Sequence, residues 1–251
     1  MKKTLLLLFI STMVFITSCD VANDLMKVAE QNLPLTEQEV VKGLKSALDV
    51  GTNNAVSIVS VSNGFFNDNA IKILLPPEAE VISQNMNNPL LKAIGVTKMI
   101  DDVVLRMNRS AEQAAKQATP IFVNAIKSMS IQDAFGILNG ADNSATLYFK
   151  EKTYSQLQNS FKPKIRTSLN KPIISGISAN KAWNTLTNGY NQVANLVPGW
   201  KTVNTNLDDY VTKKALDGLF LKVTLEEKKI RSNPSARVND ILKRVFGDKL
   251  Y

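Results

Sequence analysis

The chemistry open to this chain is narrowed by one absence and one singleton: its 251 residues include no histidine and a single cysteine, Cys19. Without imidazole there is no Ser-His-Asp or Cys-His nucleophile, no histidine general acid or base, and no histidine-ligated zinc or haem. An enzyme built from these residues must work with carboxylates, lysine, serine, threonine or tyrosine. Serine and lysine stand at SxxK spacing in Ser168 with Lys171 and in Ser178 with Lys181, the arrangement of penicillin-binding enzymes. In a chain with 18 serines and 24 lysines, composition alone accounts for roughly two such pairs, and the companion motifs of that class are missing. GxSxG, GxxxxGK, GxGxxG and calcium-loop patterns are missing as well. The residue types therefore point to no catalytic set, no cofactor and no metal site, and a non-enzymatic role is favoured.

Two carboxylates remain of interest, both within YVTKKALDGLFLKVTLEEKKIR at 210–231. On a wheel of about 100° per residue, Leu216, Leu219, Phe220, Val223 and Ile230 share one arc, while Tyr210, Leu221 and Leu225 lie nearly opposite. This reads as a helix sandwiched in the core. Glu227 falls in the first arc, between Phe220 and Val223, and Asp217 borders the second. A carboxylate on a buried face must be paired or protonated, because unpaired burial is costly. Each is either an acid perturbed in a pocket or a structural residue, in an ion pair or at a helix end emerging into water, and the structural reading is favoured. Trp200, in a turn with Pro198 and Gly199, either stacks on a sugar or membrane interface or packs down on the domain, and packing is again favoured. Arg109 lies opposite the apolar stripe of its own helix and reads as a solvated charge.

Cys19 has a distinct context. Lys2 and Lys3, an apolar run from Leu5 to Ile16, and the small residues Thr17 and Ser18 precede it, the layout of an export signal over residues 1–18. The run is shorter than the ~20 residues a permanent transmembrane helix needs. Ile16-Thr17-Ser18-Cys19 resembles the bacterial lipobox, which implies cleavage after Ser18 and a diacylglycerol on the Cys19 sulfur. With no second thiol there is no internal disulfide. Two or three acyl chains, palmitate among them, make a durable anchor where one does not. The expected protein is a lipoprotein of the cell envelope, held to a membrane through its N-terminus and facing the periplasm. Asp20 resembles the inner-membrane retention signal of enteric bacteria, but the receiving membrane stays open. Removing Lys2 and Lys3 from the 30 basic residues leaves 28 against 22 acidic ones, a net charge of +6. Export makes nucleic acid an unsuitable partner for that charge. Anionic headgroups or acidic glycans fit it, and a solvated surface of dispersed charges fits it equally well.

Helices dominate the rest. Residues 19–34 form the lipidated N-terminus and tether, and 35–251 one helical domain. Thr36 and Glu39 make a capping box for a helix that buries Val40, Val41, Leu44, Ala47, Leu48, Ala55, Ile58 and Val59. Residues 60–77 read as a loop enclosing one short strand at Ile71 to Leu75. From Thr97, a stripe of Ile100, Val103, Val104, Met107, Ala111, Ala114, Ala115 and Ala118 predicts close approach to another helix. Thr119-Pro120 supplies an N-cap and N1 proline for Ile121 to Ser128, and Ser130 to Asp133 opens a helix that stops at Asn139-Gly140. Further helices are expected at Asn143 to Lys150, Tyr154 to Leu169, Ala179 to Leu196, Leu207 to Ser232 and Ala236 to Phe246. The fold class is all-α: a single-domain bundle of roughly eight to ten helices with at most one short extended hairpin or strand.

Four stretches carry a family resemblance: GLKSALDVGTNNAV (43–56), MNRSAEQAA (107–115), KSMSIQDAFGILNGADNSATLYF (127–149) and YVTKKALDGLFLKVTLEEKKIRSNP (210–234). They look like a bacterial envelope family known as domain-of-unknown-function family 4197, with the resemblance running from about Leu33 to Gly247. It implies an exported, predominantly helical protein. It implies no activity, so no site residue is carried over. Three functions are weighed: a non-catalytic module that binds an envelope protein or cell-wall component, a carrier of lipid or another apolar ligand, and a carboxylate-dependent hydrolase of envelope glycans. The first is favoured.

Overall fold

Side-chain caps start the helices where the sequence places polar residues before apolar periodicity. Glu39 N–H donates to Thr36 Oγ1 at 3.2 Å, and the Glu39 carboxylate accepts from Thr36 N–H at 2.8 Å. This capping box opens α1, Glu37–Ser60. The same reciprocal pair, Ser130 with Asp133, opens a short helix at Ile131–Leu138, and Asn206 Oδ1 accepts from Asp209 N–H to open a long one at Leu207–Ser232. In this computed structural model the described residues are 35–80, 96–172, 176–196, 198–199, 201–237 and 240–247. The export signal expected at 1–18, Cys19, the tether expected up to residue 34, and Trp200 lie outside them.

After α1 the chain runs through α2 (Val96–Ala115), α3 (Ala118–Ser128), α4 (Ile131–Leu138), α5 (Ser144–Leu169), α6 (Ala179–Ala194), α7 (Leu207–Ser232), a 3-10 turn at Pro234–Ala236, and α8 (Asp240–Gly247). The fold is all-α, with α5 at its centre against α7, α2, α3 and α4, and α1 packed against α7, α3, α2 and α4. Along α5 the buried positions Phe149, Thr153, Leu157, Phe161, Ile165 and Leu169 recur every fourth residue, a ridge that suits long helix-to-helix contact. The alanine stripe of α2 is buried as its spacing predicts, with Ala111, Ala114 and Ala115 fully enclosed.

Several expectations are corrected. The helices expected at Asn143 to Lys150 and Tyr154 to Leu169 are one. The polar stretch between them does not break the helix, and Thr153, its buried member, satisfies its hydroxyl by donating to the Phe149 carbonyl at 2.5 Å. Pro163 lies on the exposed face, where it removes the one backbone bond that the carbonyl of exposed Asn159 would accept. Thr119 is not a cap: α3 begins at Ala118 after a brief turn, leaving Pro120 in the first turn, where its missing N–H costs little. No strand forms among the described residues: Ile71 ends a turn, its N–H and that of Lys72 both donating to the Asp68 carbonyl, and a side chain, Asn108, satisfies Ile73. Ile58 is 42% exposed. The buried face of α1 turns instead through Gly51, Thr52 and Val56, because α7 crosses there; a Cβ on Gly51 would lie 3.3 Å from Ile230. α7 is not sandwiched: Leu216, Leu219, Phe220, Val223 and Ile230 are buried, whereas Leu221 and Leu225 are 38% and 47% exposed.

Candidate functional site

Glu227 sits where two helices end. Its Oε1 accepts from Ala145 N–H at 2.9 Å and its Oε2 from Thr146 N–H at 2.9 Å and Thr146 Oγ1 at 2.8 Å. These are among the first N–H groups of α5, which have no partner inside their own helix, and the N-cap residue Asn143 makes no side-chain cap bond. One turn further along α7, Arg231 donates to Glu227 at 3.0 Å and to the Ile137 carbonyl at the end of α4 at 2.7 Å. The ion pair therefore places its anion at a helix N-terminus and its cation at a helix C-terminus, the favourable sense for both. Glu227 is a buried structural clamp on the α4–α5 turn.

Asp217 lies elsewhere, exposed on the outer face of α7. With Tyr210, Lys214 and Leu221 it forms one wall of an open cavity of about 360 Å³, whose other wall is the segment from Ala70 through Pro77. That segment is held from three directions. Asn108 on α2 takes both main-chain groups of Ile73: its Oδ1 accepts from the N–H and its Nδ2 donates to the C=O, each at 2.8 Å. Tyr210 donates its hydroxyl to the Leu75 carbonyl at 3.3 Å, and burial, then the negative charge of Glu78, pushes that phenol up. Lys222 pairs with Asp68. The Lys222 hydrogen bond, with a further one from Ala70 N–H, holds the Asp68 carboxyl below its ordinary range.

The preceding turn is pinned by neighbouring residues on α2. Buried Glu112 accepts from the N–H groups of Phe65 and Phe66 at 3.2 and 3.3 Å. Arg109 pairs with Glu112 at 2.8 Å and donates to Ser62 Oγ at 2.8 Å and Asn63 Oδ1 at 2.7 Å. Asn63 has a left-handed φ of 68°, a conformation Asn tolerates better than most residues. Arg109 is thus no solvated charge, and neither Asn108 nor Glu112 stood out in the sequence. The available signal was their position one residue beyond Met107 and Ala111, at the border of the apolar stripe. Gly218 on α7 completes the seat: a Cβ there would lie 2.7 Å from Phe65 and 3.1 Å from Ile71.

The two carboxylates singled out by sequence are not brought together. Ten residues of α7 separate them, about 15 Å of axial rise, whereas a glycosidase pair works at about 5 to 9.5 Å. The apolar cavity beside Glu227, lined by Leu44, Leu48, Phe149, Val223 and Ile230, measures only about 20 Å³, little more than one water molecule requires. No group of three or more metal-ligating side chains occurs among the described residues. Nor is any described helix long and apolar enough to cross a membrane.

Fold and site together define a helical bundle whose polar clusters buttress its turns and which carries an open groove beside the segment at residues 70–77. The chain belongs to the family described as protein of unknown function (DUF4197), whose model matches residues 34–247. No curated protein and no solved structure matches it.

Proposed function

We propose that this chain is a membrane-anchored lipoprotein of the bacterial envelope whose helical domain is a non-catalytic module that binds a partner protein. The groove between residues 70–77 and α7 carries this reading. It has room for another molecule's side chains, and exposed leucines, 60% exposed at Leu74 and 38% at Leu221, stand along it. The export-signal layout and the lipobox-like tetrad before Cys19 support the anchor. The carrier reading has little to rest on in a cavity near 20 Å³, and the hydrolase reading little in two carboxylates so far apart.

The test is a photo-crosslinking residue placed at Leu221 in the full chain, expressed in intact cells. A discrete adduct with one protein is expected there and none with the same residue at Ile131, which is 51% exposed on α4. Equal labelling at both positions, or none at either, would overturn the binding-module reading.

A further inference from the structure

The positive charge of this chain is concentrated in one stretch. From Lys152 through Leu207, 56 consecutive residues hold seven basic side chains and no acidic one. Of the 28 basic residues from Cys19 onward, the other 21 stand against all 22 acidic ones, so this stretch carries the whole excess. It forms most of α5, all of α6 and the lead into α7, and no residue of the groove belongs to it. Where α5 ends and α6 begins, Asn180 Nδ2 donates to Asn170 Oδ1 at 3.0 Å, and Arg106 of α2 donates to the Pro172 carbonyl at 3.2 Å. Lys171 and Lys181, each one residue past those asparagines, are thereby brought with Arg106 to one corner, and Lys164 stands two turns back on α5. These three lysines are exposed and meet no carboxylate among the described residues. Of the acids that adjoin the corner, Asp208 and Asp209 are already paired, with Arg166 and Lys162. α2 adds exposed Asp101 and buried Asp102 ahead of Arg106, and the cations still outnumber the acids.

From this distribution we infer that the outer side of α5 and α6 rests on an anionic phospholipid bilayer, the one to which the chain is anchored. The inference rests on the anchor reading and adds which side the domain turns to the membrane. Six of the seven cations are lysines, and the exception, Arg166, is engaged by Asp208. Point charges on flexible stems suit the diffuse field of a headgroup layer, whereas a discrete phosphate is better matched by a guanidinium fork. Along α6 the exposed residues Lys181, Asn184, Asn188 and Gln192 offer that layer no negative charge. Beyond the helix, Leu196, 83% exposed, supplies an apolar side chain that suits a membrane interface and gains nothing from a soluble polyanion. Residues 19–34 reach at most roughly 50 Å when fully extended, so the bilayer is always at hand at high effective concentration. The contact turns the domain and does not by itself hold it, because the attraction of a few lysines is weak and falls off within a screening length.

The experiment places a photo-crosslinking residue at Thr167, exposed between Lys164 and Lys171, or at Ile131 of α4, in the full chain in intact cells, and identifies adducts by mass. The phospholipid adduct from Thr167 is expected to exceed that from Ile131 at least about fivefold. In isolated membranes, raising salt from ~0.1 to ~1 M shortens the screening length from about 10 to about 3 Å. That should lower the Thr167 adduct roughly threefold or more while the acyl anchor keeps the protein on the membrane. Lys164→Gln, Lys171→Gln and Lys181→Gln combined should lower it as much, and the three arginine replacements should not. Should the glutamine variant fail to fold, the salt series on the parent decides. Equal yields at Thr167 and Ile131, or a Thr167 yield indifferent to salt or to the glutamines, overturns the inference, and continued palmitate labelling then leaves the anchor standing. Adducts from Thr167 only with a protein or a polysaccharide overturn it as well. A salt-sensitive phospholipid adduct without palmitate labelling sinks the anchor and supports the basic face.

Discussion

At the scale of single residues, the polar side chains of this protein serve mainly to finish the backbone. Glu227 completes the start of α5, Arg231 the end of α4, and Asn108 the edge of Ile73. Asn191 repeats the last device, exchanging two hydrogen bonds with the main chain of Val203 at 2.8 and 2.9 Å. Replacing Glu227 by Gln preserves shape but turns one acceptor into a donor that faces N–H groups or a guanidinium. Because the pair is buried, with 6% of the Glu227 side chain and 15% of the Arg231 side chain exposed, Glu227→Gln is expected to cost about 3 kcal/mol and to lower the melting temperature. An unchanged melting temperature would show that the clamp contributes nothing.

Acid sensitivity follows from three carboxyls held below their ordinary range. A hydrogen bond from Lys222 acts on Asp68, and backbone and hydroxyl bonds from their own cap residues, Thr36 and Ser130, act on Glu39 and Asp133. A depressed folded value means that each contribution is complete above the unfolded value and is lost as pH falls through the folded one. The melting temperature is expected to hold from neutral pH to about 5 and to decline below about 4, with no histidine to bend the profile between. Lys222→Met should shallow the acid decline, since Asp68 then titrates nearer its unfolded value. An equally steep decline in that variant would remove Asp68 from the account.

At the scale of elements, legibility followed the range of the interaction. α7 was readable to its termini, Leu207–Ser232, because capping and a continuous apolar arc are local properties of the chain. The capping boxes of α1 and α4 were readable for the same reason. The continuity of α5 was not, because Thr153 hides its hydroxyl within its own helix. The roles of Asn108, Arg109 and Glu112 were not readable either, since their partners at residues 62 to 73 lie more than thirty positions away. Periodicity reported that α7 is apolar on two sides, but it could not report that only one side has a neighbour. The buried side makes a firm prediction. Phe220 stacks on Tyr154 and meets Phe122 edge-on, with ring centres 6.3 and 6.2 Å away. Phe220→Ala should therefore destabilise the domain by about 3 to 5 kcal/mol, read by chemical denaturation. Gly218→Ala should also destabilise it despite the higher helix propensity of alanine, because the new methyl meets Phe65 and Ile71. A neutral or stabilising outcome would mean that the turn gives way easily.

At the scale of the whole molecule, the described helices share one continuous core. The first cap is Thr36, and the helices from α1 onward enclose one another in a continuous apolar cluster from Leu44 to Val223. Folding and anchoring are therefore expected to separate cleanly. Residues 35–251 expressed alone should melt within about 2 °C of a chain that begins at residue 19, a shift too small to register as 1 kcal/mol in a domain of this size. Cys19→Ser in the full chain should abolish palmitate labelling and release the protein from membranes, or leave it as unprocessed precursor, with the helical domain intact in both cases. The two measurements bear on different links of the argument. A fragment that melts much lower would show that residues before Leu35 belong to the core, whereas a serine variant still labelled by palmitate would refute the lipobox reading. Were the serine variant unlabelled yet as membrane-bound as the parent, the helical surface itself would be holding the membrane.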